Sequence, residues 1–172
     1  HFEKRYSLKY PNSLGLWYSA MTQRLGLKPQ EDEYILMGMA GWGTQDHKLK
    51  NAIREDFFND SDKPIDLKNN LHRGCLDWNP EYFPDDDSDD WKFNIAANVQ
   101  WICEEEIRKV FSLAKRLVPE TNNCVYMGGV ALNCVANSII AQRYYPDLWI
   151  LPNPGDAGSS LGCAAYVYGE HL

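Results

Sequence analysis

Positive charge is scarce in this chain. Its 17 Lys and Arg residues face 24 Asp and Glu, for a net charge of −7. That balance speaks against a broad surface for nucleic acid or anionic membrane, while leaving room for a small local phosphate site. Long apolar runs are missing too, so no segment is expected to cross a bilayer, and there is no signal-peptide pattern. No C-x-x-C pair occurs among the five cysteines, Cys75, Cys103, Cys124, Cys134 and Cys163. An odd count without paired spacing argues against a zinc ribbon or a disulfide framework. Cys103, Cys124, Cys134 and Cys163 lie in apolar or small-residue runs, which predicts buried thiols in a reducing, cytoplasmic setting. The histidines, His1, His47, His72 and His171, offer no i,i+4 pair for a helical metal site and are expected to be surface or local structural residues. No internal repeat is visible, and no Ser–His–Asp or Cys–His arrangement can be argued from the order of residues.

At 172 residues and 44% hydrophobic, the chain is expected to form one globular domain or part of a larger one. It opens on His1 without a Met and is already motif-like by Asn12, which predicts a piece of a longer polypeptide. Asn12 or Ser13 can cap a helix over about 14–25, with Leu14, Trp17, Met21 and Leu25 at helical spacing and Gly26 at its end. Glu31, Asp32 and Glu33 favour a short second helix with Leu36 and Met37 turned inward, broken by Gly38, Gly41 and Gly43. A third helix is expected over 46–58 and a brief strand at Ile65 and Leu67. Residues 74–91 are expected to be an acidic loop insertion. Its run DDDSDD at 85–90 lacks the glycine turn of a calcium loop. The longest helix is predicted over 93–117, on the stripe Ile95, Val99, Ile102, Ile107, Val110, Phe111, Ala114 and Leu117, with Glu104 and Arg108 paired outward. The C-terminal third then alternates: strand 124–127, helix 132–143, strand 148–151, helix 159–168. That order implies an α/β fold with a parallel βα-βα unit.

The chemistry concentrates there, in NCVYMGGVALNCVANSIIAQRYYPDLWILPNPGDAGSSLGCAA. Gly128 and Gly129 follow one strand; Gly155 and Gly158 follow the other. Glycine at such a turn allows close approach of backbone or phosphate, and the helix behind it presents N–H groups to an anion. Asn133, in the first turn of an apolar helix, can cap that helix or reach a ribose or phosphate. Asp156 is well placed as an N-cap, the commonest role for such a residue; the functional reading is a metal ligand beside a nucleotide, with Gly158, Ser159 and Ser160 offering N–H and hydroxyl groups to phosphate oxygens.

Three blocks together resemble the NodU/CmcH-type O-carbamoyltransferases and, more distantly, the tRNA threonylcarbamoyladenosine synthases. NSLGLWYSAMTQRLGLKPQEDEYILMGMAGWG (12–43) is similar to the family's S-L-G-x-x-Y-x-x-x-T…E-Y-K-x-M-G-L-A-x-x-G, GGVALN (128–133) to its G-G-V-A-L-N, and PNPGDAGSSLGCAA (152–165) to its P-x-x-G-D-x-G-x-x-x-G-A-A. The resemblance implies a helix-rich part of an actin/sugar-kinase/Hsp70-like (ribonuclease H-like) domain, 1–172 being the C-terminal portion of the catalytic domain. It also implies an activity. A YrdC-like domain makes carbamoyl-adenylate from carbamoyl phosphate and ATP, and the transferase domain moves the carbamoyl group to a hydroxyl of a small molecule or sugar, using a divalent metal of the iron type. Asp156 would be the metal-ligand carboxylate and Asn133 would contact the nucleotide intermediate. Gly128, Gly129, Gly155 and Gly158 would shape the pocket. The chain departs from the pattern in three ways: it has no H-x-x-x-H motif, Ile35 stands at the Lys of E-Y-K, and the YrdC-like domain is absent. The N-terminal lobe and YrdC-like domain are therefore expected partners, and the chain alone is expected to be inactive. Two other readings are a threonylcarbamoyl transferase-like tRNA modification protein, against which the acidic charge speaks, and a non-catalytic nucleotide- or partner-binding module of the same fold.

Overall fold

The computed structural model describes residues 3–77, 82, 88 and 90–169, and the chain divides into two compact units, 1–113 and 114–172. Most of the acidic segment 78–89 lies outside the described residues.

The first unit is helical. Helix α1, Leu14–Arg24, is capped by Ser13, whose Oγ accepts the Leu16 N–H at 3.3 Å, and is followed by Gly26 at φ 84°. Glycine bears that left-handed turn without a Cβ penalty. Asn12 does not cap; its Oδ1 accepts the Leu67 N–H at 2.9 Å. Helix α2 spans Glu33–Met39 and buries Leu36, while Met37 is half-buried. Helix α3, His47–Phe57, is capped by Asp46, which accepts the Leu49 N–H at 2.8 Å. Helix α4, Asp90–Leu117, begins inside what was expected to be loop. Its first two-thirds bury Ile95, Val99, Ile102, Ile107 and Phe111, as the stripe predicts, and Leu117 at its end is exposed. Trp17 is fully buried, edge-on to Phe57 and Phe58.

Polar side chains tie the first unit together. Tyr18 donates to Gln100 Oε1 at 2.9 Å, and burial pushes its phenol well up, so it remains a neutral donor. Asn98, fully buried, accepts the Asp46 N–H and donates to the Thr44 carbonyl. Glu106, also fully buried, meets Arg54 Nη2 at 2.6 Å, Lys109 Nζ at 3.0 Å and the Ile65 N–H at 2.7 Å. A strand at Ile65 and Leu67 does not form. Phe58 and Leu67 share a single antiparallel bridge, and Ile65 sits at φ 54° after Pro64.

The second unit holds the parallel pair. Strands β1, Asn123–Val125, and β2, Asp147–Trp149, align Cys124 with Leu148. Between them run a 3-10 turn, Gly129–Leu132, and helix α5, Cys134–Arg143; helix α6, Gly158–Tyr168, follows β2. The core of this unit is small: Ala131, Ala136, Ile140 and Tyr145 are buried. Cys134 and Cys163 are exposed, against the expectation of burial, because their helices bury little around them. Cys103 is buried and Cys124 half-buried, with burial pushing both thiols up. No helix among the described residues is long and apolar enough to cross a membrane.

Candidate functional site

The two glycine turns of the second unit meet. The Gly128 N–H donates to the Pro154 carbonyl at 2.7 Å, so the turn after β1 is fastened to the turn after β2. Gly128 has φ 105° and ψ 161°, a region essentially closed to any residue with a Cβ. Gly158 is required for a different reason. A Cβ there would lie 2.0 Å from the Asn153 carbonyl oxygen. Gly128 thus serves a backbone conformation and Gly158 a close backbone approach, both ordinary structural uses of the residue.

A groove of about 450 Å³ opens where the turns join. Val125, Met127, Leu151 and Pro154 give it apolar walls; Gly128, Gly155, Gly158, Gly162, Asp156 and Ser159 complete it. Of the residues singled out from sequence, Gly128, Gly155, Asp156, Gly158 and Ser159 therefore come together, and Gly129, Asn133 and Ser160 are not among the lining. Asn133 stands between the 3-10 turn and α5, where its Oδ1 accepts the Ala136 N–H at 3.1 Å. It is a helix cap, not a first-turn residue of a helix starting at 132.

Asp156 is exposed at the groove, and no residue within the described structure takes up its carboxylate by hydrogen bond or ion pair. The residue capping α6 is Ala157, which has no side-chain cap bond. The N-cap role thus falls away, and the acid is left facing the groove. The neighbouring donors, by contrast, are engaged locally. The Gly158 N–H goes to the Gly155 carbonyl at 3.0 Å, the Ser159 N–H to the Asp156 carbonyl at 3.1 Å, and the Ser160 hydroxyl to the Ala157 carbonyl at 2.8 Å. The groove walls are largely apolar, and the N–H groups of Gly158 and Ser159 are taken up within the turn.

No three His, Cys, Asp or Glu side chains gather as a metal-ligand set among the described residues. One carboxylate alone does not hold a divalent ion firmly, so the residues of this chain do not by themselves fit an iron-type centre.

The motif-like block at 12–43 has a structural account in the first unit. Ser13 caps α1, Tyr18 reaches Gln100, Thr22 Oγ1 bonds the Tyr18 carbonyl at 3.0 Å, and Glu33 takes the Ser19 hydroxyl and the Gln30 N–H. At Gly43 a Cβ would lie 1.9 Å from the Phe93 carbonyl oxygen, so the loop before α3 presses on α4. Sequence reasoning gave no role to Gly162, Met127 or Leu151. Gly162 stood in the quoted block, but only the fold brings the two apolar residues beside it.

Comparison with known proteins gives the family. The model of the carbamoyltransferase N-terminus matches residues 2–165, and the chain belongs to that family. An uncharacterized protein of Synechocystis sp. is 31% identical over 97% of this chain and 29% of its own length. An uncharacterized protein of Methanocaldococcus jannaschii is 26% identical over 88% of this chain and 25% of its own. The nodulation protein NolO of Bradyrhizobium diazoefficiens is 26% identical over 92% of this chain and 29% of its own. The chain thus spans 25–29% of the length of these relatives.

Proposed function

We propose that this chain is the nucleotide-facing part of an O-carbamoyltransferase, built on an actin/sugar-kinase/Hsp70-like framework. Carbamoyl-adenylate, made from carbamoyl phosphate and ATP by a YrdC-like domain of the longer protein, is the donor. A hydroxyl of a small molecule or sugar is the acceptor. Its oxygen forms the new bond to the carbamoyl carbon, the bond from that carbon to the phosphate oxygen of AMP breaks, and the hydroxyl proton is released. The observation that carries this reading is Asp156, an acid without a structural partner at the rim of a groove in a chain of this family.

Asp156 contributes one ligand toward a divalent cation, and the remaining ligands come from polypeptide outside this chain. No reaction step is assigned to the metal. The 172-residue chain alone is expected to give no carbamoyl transfer from carbamoyl phosphate and ATP. Nucleotide binding by the longer protein, which supplies the other ligands, tests the reading directly. Titration of ATP into it should show tighter binding with a divalent metal than without, and Asp156→Ala should remove that difference. Equal binding by the variant in the presence of metal overturns it.

A second reading, a partner-binding module without catalysis, draws on α6. That helix buries only Gly158 and leaves Tyr166, Val167 and Tyr168 88%, 78% and 81% exposed. Nucleotide binding that ignores the metal favours this second reading.

A further inference from the structure

Asn137, in the first turn of α5, is half-buried, and its Oδ1 is buried without a hydrogen-bond partner among the described residues. A buried, unpaired amide oxygen is unfavourable, so an asparagine stands here at a cost unless its other end offsets it. That end is engaged. Nδ2 donates to the Ala131 carbonyl at 2.7 Å, six residues back. Ala131 is buried, and no backbone N–H is bonded to its carbonyl among the described residues. Side chains of a helix lean toward its N-terminus, which brings residue 137 over the 3-10 turn. The amide has one workable orientation, since turning it over would set oxygen against oxygen.

This contact is the first of three in line. The Ala131 N–H donates to the Gly128 carbonyl at 2.9 Å, and the Gly128 N–H donates to the Pro154 carbonyl at 2.7 Å. Pro154 belongs to the turn that carries Asp156, and both line the groove. A side chain of α5 thus holds the 3-10 turn, that turn holds Gly128, and Gly128 fastens the second turn.

We propose that Asn137 is a positioning residue: by bonding the Ala131 carbonyl it keeps the Gly128 turn in the form that fastens to Pro154, and so fixes the turn that carries Asp156. This rests on the nucleotide reading above and deepens it, because it gives a residue outside the groove control of the groove's shape.

Two measurements test it, with Ser138→Ala as the comparison in both, since the Ser138 hydroxyl donates only within α5, to the Val135 carbonyl at 2.8 Å. The variants are Asn137→Asp, which keeps the size and loses the donor, and Asn137→Ala, which adds no charge. In the 172-residue chain, amide hydrogen exchange followed by NMR should show Gly128 and Ala131 exchanging at least about fivefold faster in both variants, while amides of α4 in the first unit keep their rates. In the longer protein, ATP should bind the Asn137 variants several-fold more weakly and Ser138→Ala as the parent does. A dissociation constant does not depend on the fraction folded, so a merely structural contact would lower the thermal midpoint and leave ATP affinity in place. Should one variant fail to fold, the other decides. Unchanged exchange at Gly128, or faster exchange with unmoved ATP affinity, overturns the proposal. The two readings fail separately. A parent that binds ATP with Asn137 variants that bind equally well removes the positioning role alone, whereas a parent that does not bind ATP removes the nucleotide reading and this role with it.

Discussion

Replacing Asp156 with Ala separates a carboxylate that serves a ligand from one that serves the helix. A lost N-cap costs about 1 kcal/mol. In this structure the side chain is exposed, makes no hydrogen bond, and is not the capping residue of α6. The expected cost is therefore that of an ordinary surface substitution, below about 0.5 kcal/mol. One electrostatic contribution remains. A negative charge beside the N-terminus of α6 is favoured by roughly 0.3–1 kcal/mol at low ionic strength, and salt screens it. Thermal unfolding in moderate salt is thus the right assay, with Asn133→Ala as the reference, since Asn133 does accept a backbone N–H of α5. For a chain of this size 1 kcal/mol moves the midpoint by roughly 2–4 °C. Asn133→Ala should show that fall, and Asp156→Ala less than half of it. An equal fall in the two variants would refute the reasoning and return Asp156 to a capping role.

Gly158→Ala should destabilise by about 1–3 kcal/mol, because its Cβ meets the Asn153 carbonyl and that backbone cannot yield cheaply; urea unfolding measures it. Glu106→Gln should cost roughly 3 kcal/mol by the same assay, since it removes the buried charge that Arg54 and Lys109 meet; their partial exposure, 23% and 32%, and the second pairing of Arg54 with Glu105 keep the cost from being larger. Alkylation at pH 8 followed by mass spectrometry should modify Cys134 and Cys163 first. Burial pushes the Cys75 thiol up to about 11, so its thiolate, and its labelling rate, should rise about tenfold per pH unit until that region, while Cys103 stays protected; early labelling of Cys103 would contradict the packing of α4.

Periodicity and caps made the long elements legible. Ser13, Asp46 and the stripe on α4 mark helices because their signals are local: a side chain bonds an N–H three residues on, or apolar residues recur every turn. The failures arise where a distant residue decides. Ile65 and Leu67 alternate like a strand, but Ile65 occupies the third position of a turn after Pro64, with a positive φ that favours Gly or Asn. Its N–H is held by Glu106, 41 residues away, and its side chain is 8% exposed; neither partner is visible from the local pattern. The 3-10 turn before α5 was hidden in the same way. Val130, Ala131 and Leu132 are good helix residues, but Gly128 at φ 105° and Asn133 at ψ 87° delay the α-helix to Cys134.

At the candidate site, residue type pointed to the place but not to the roles. Four of the five residues around the second turn that carried expectations, Gly155, Asp156, Gly158 and Ser159, line the groove, because a strand–turn–helix sequence concentrates them at one end of the strands. What each does depends on contacts a sequence does not state. Asn133 and Asp156 both precede helices and both carry an oxygen suited to an N–H; one caps and the other does not. The difference lies in the turn geometry: Asn133 is extended enough to fold its amide back over α5, whereas the turn places Asp156 one residue ahead of the capping position, which Ala157 occupies in a helical conformation. A carboxylate displaced by one residue from the cap loses its structural partner and is left available to whatever enters the groove. That one-residue offset, and not the presence of an acid in a glycine turn, is the physical reason for proposing a ligand role for Asp156, while Asn133 serves the architecture.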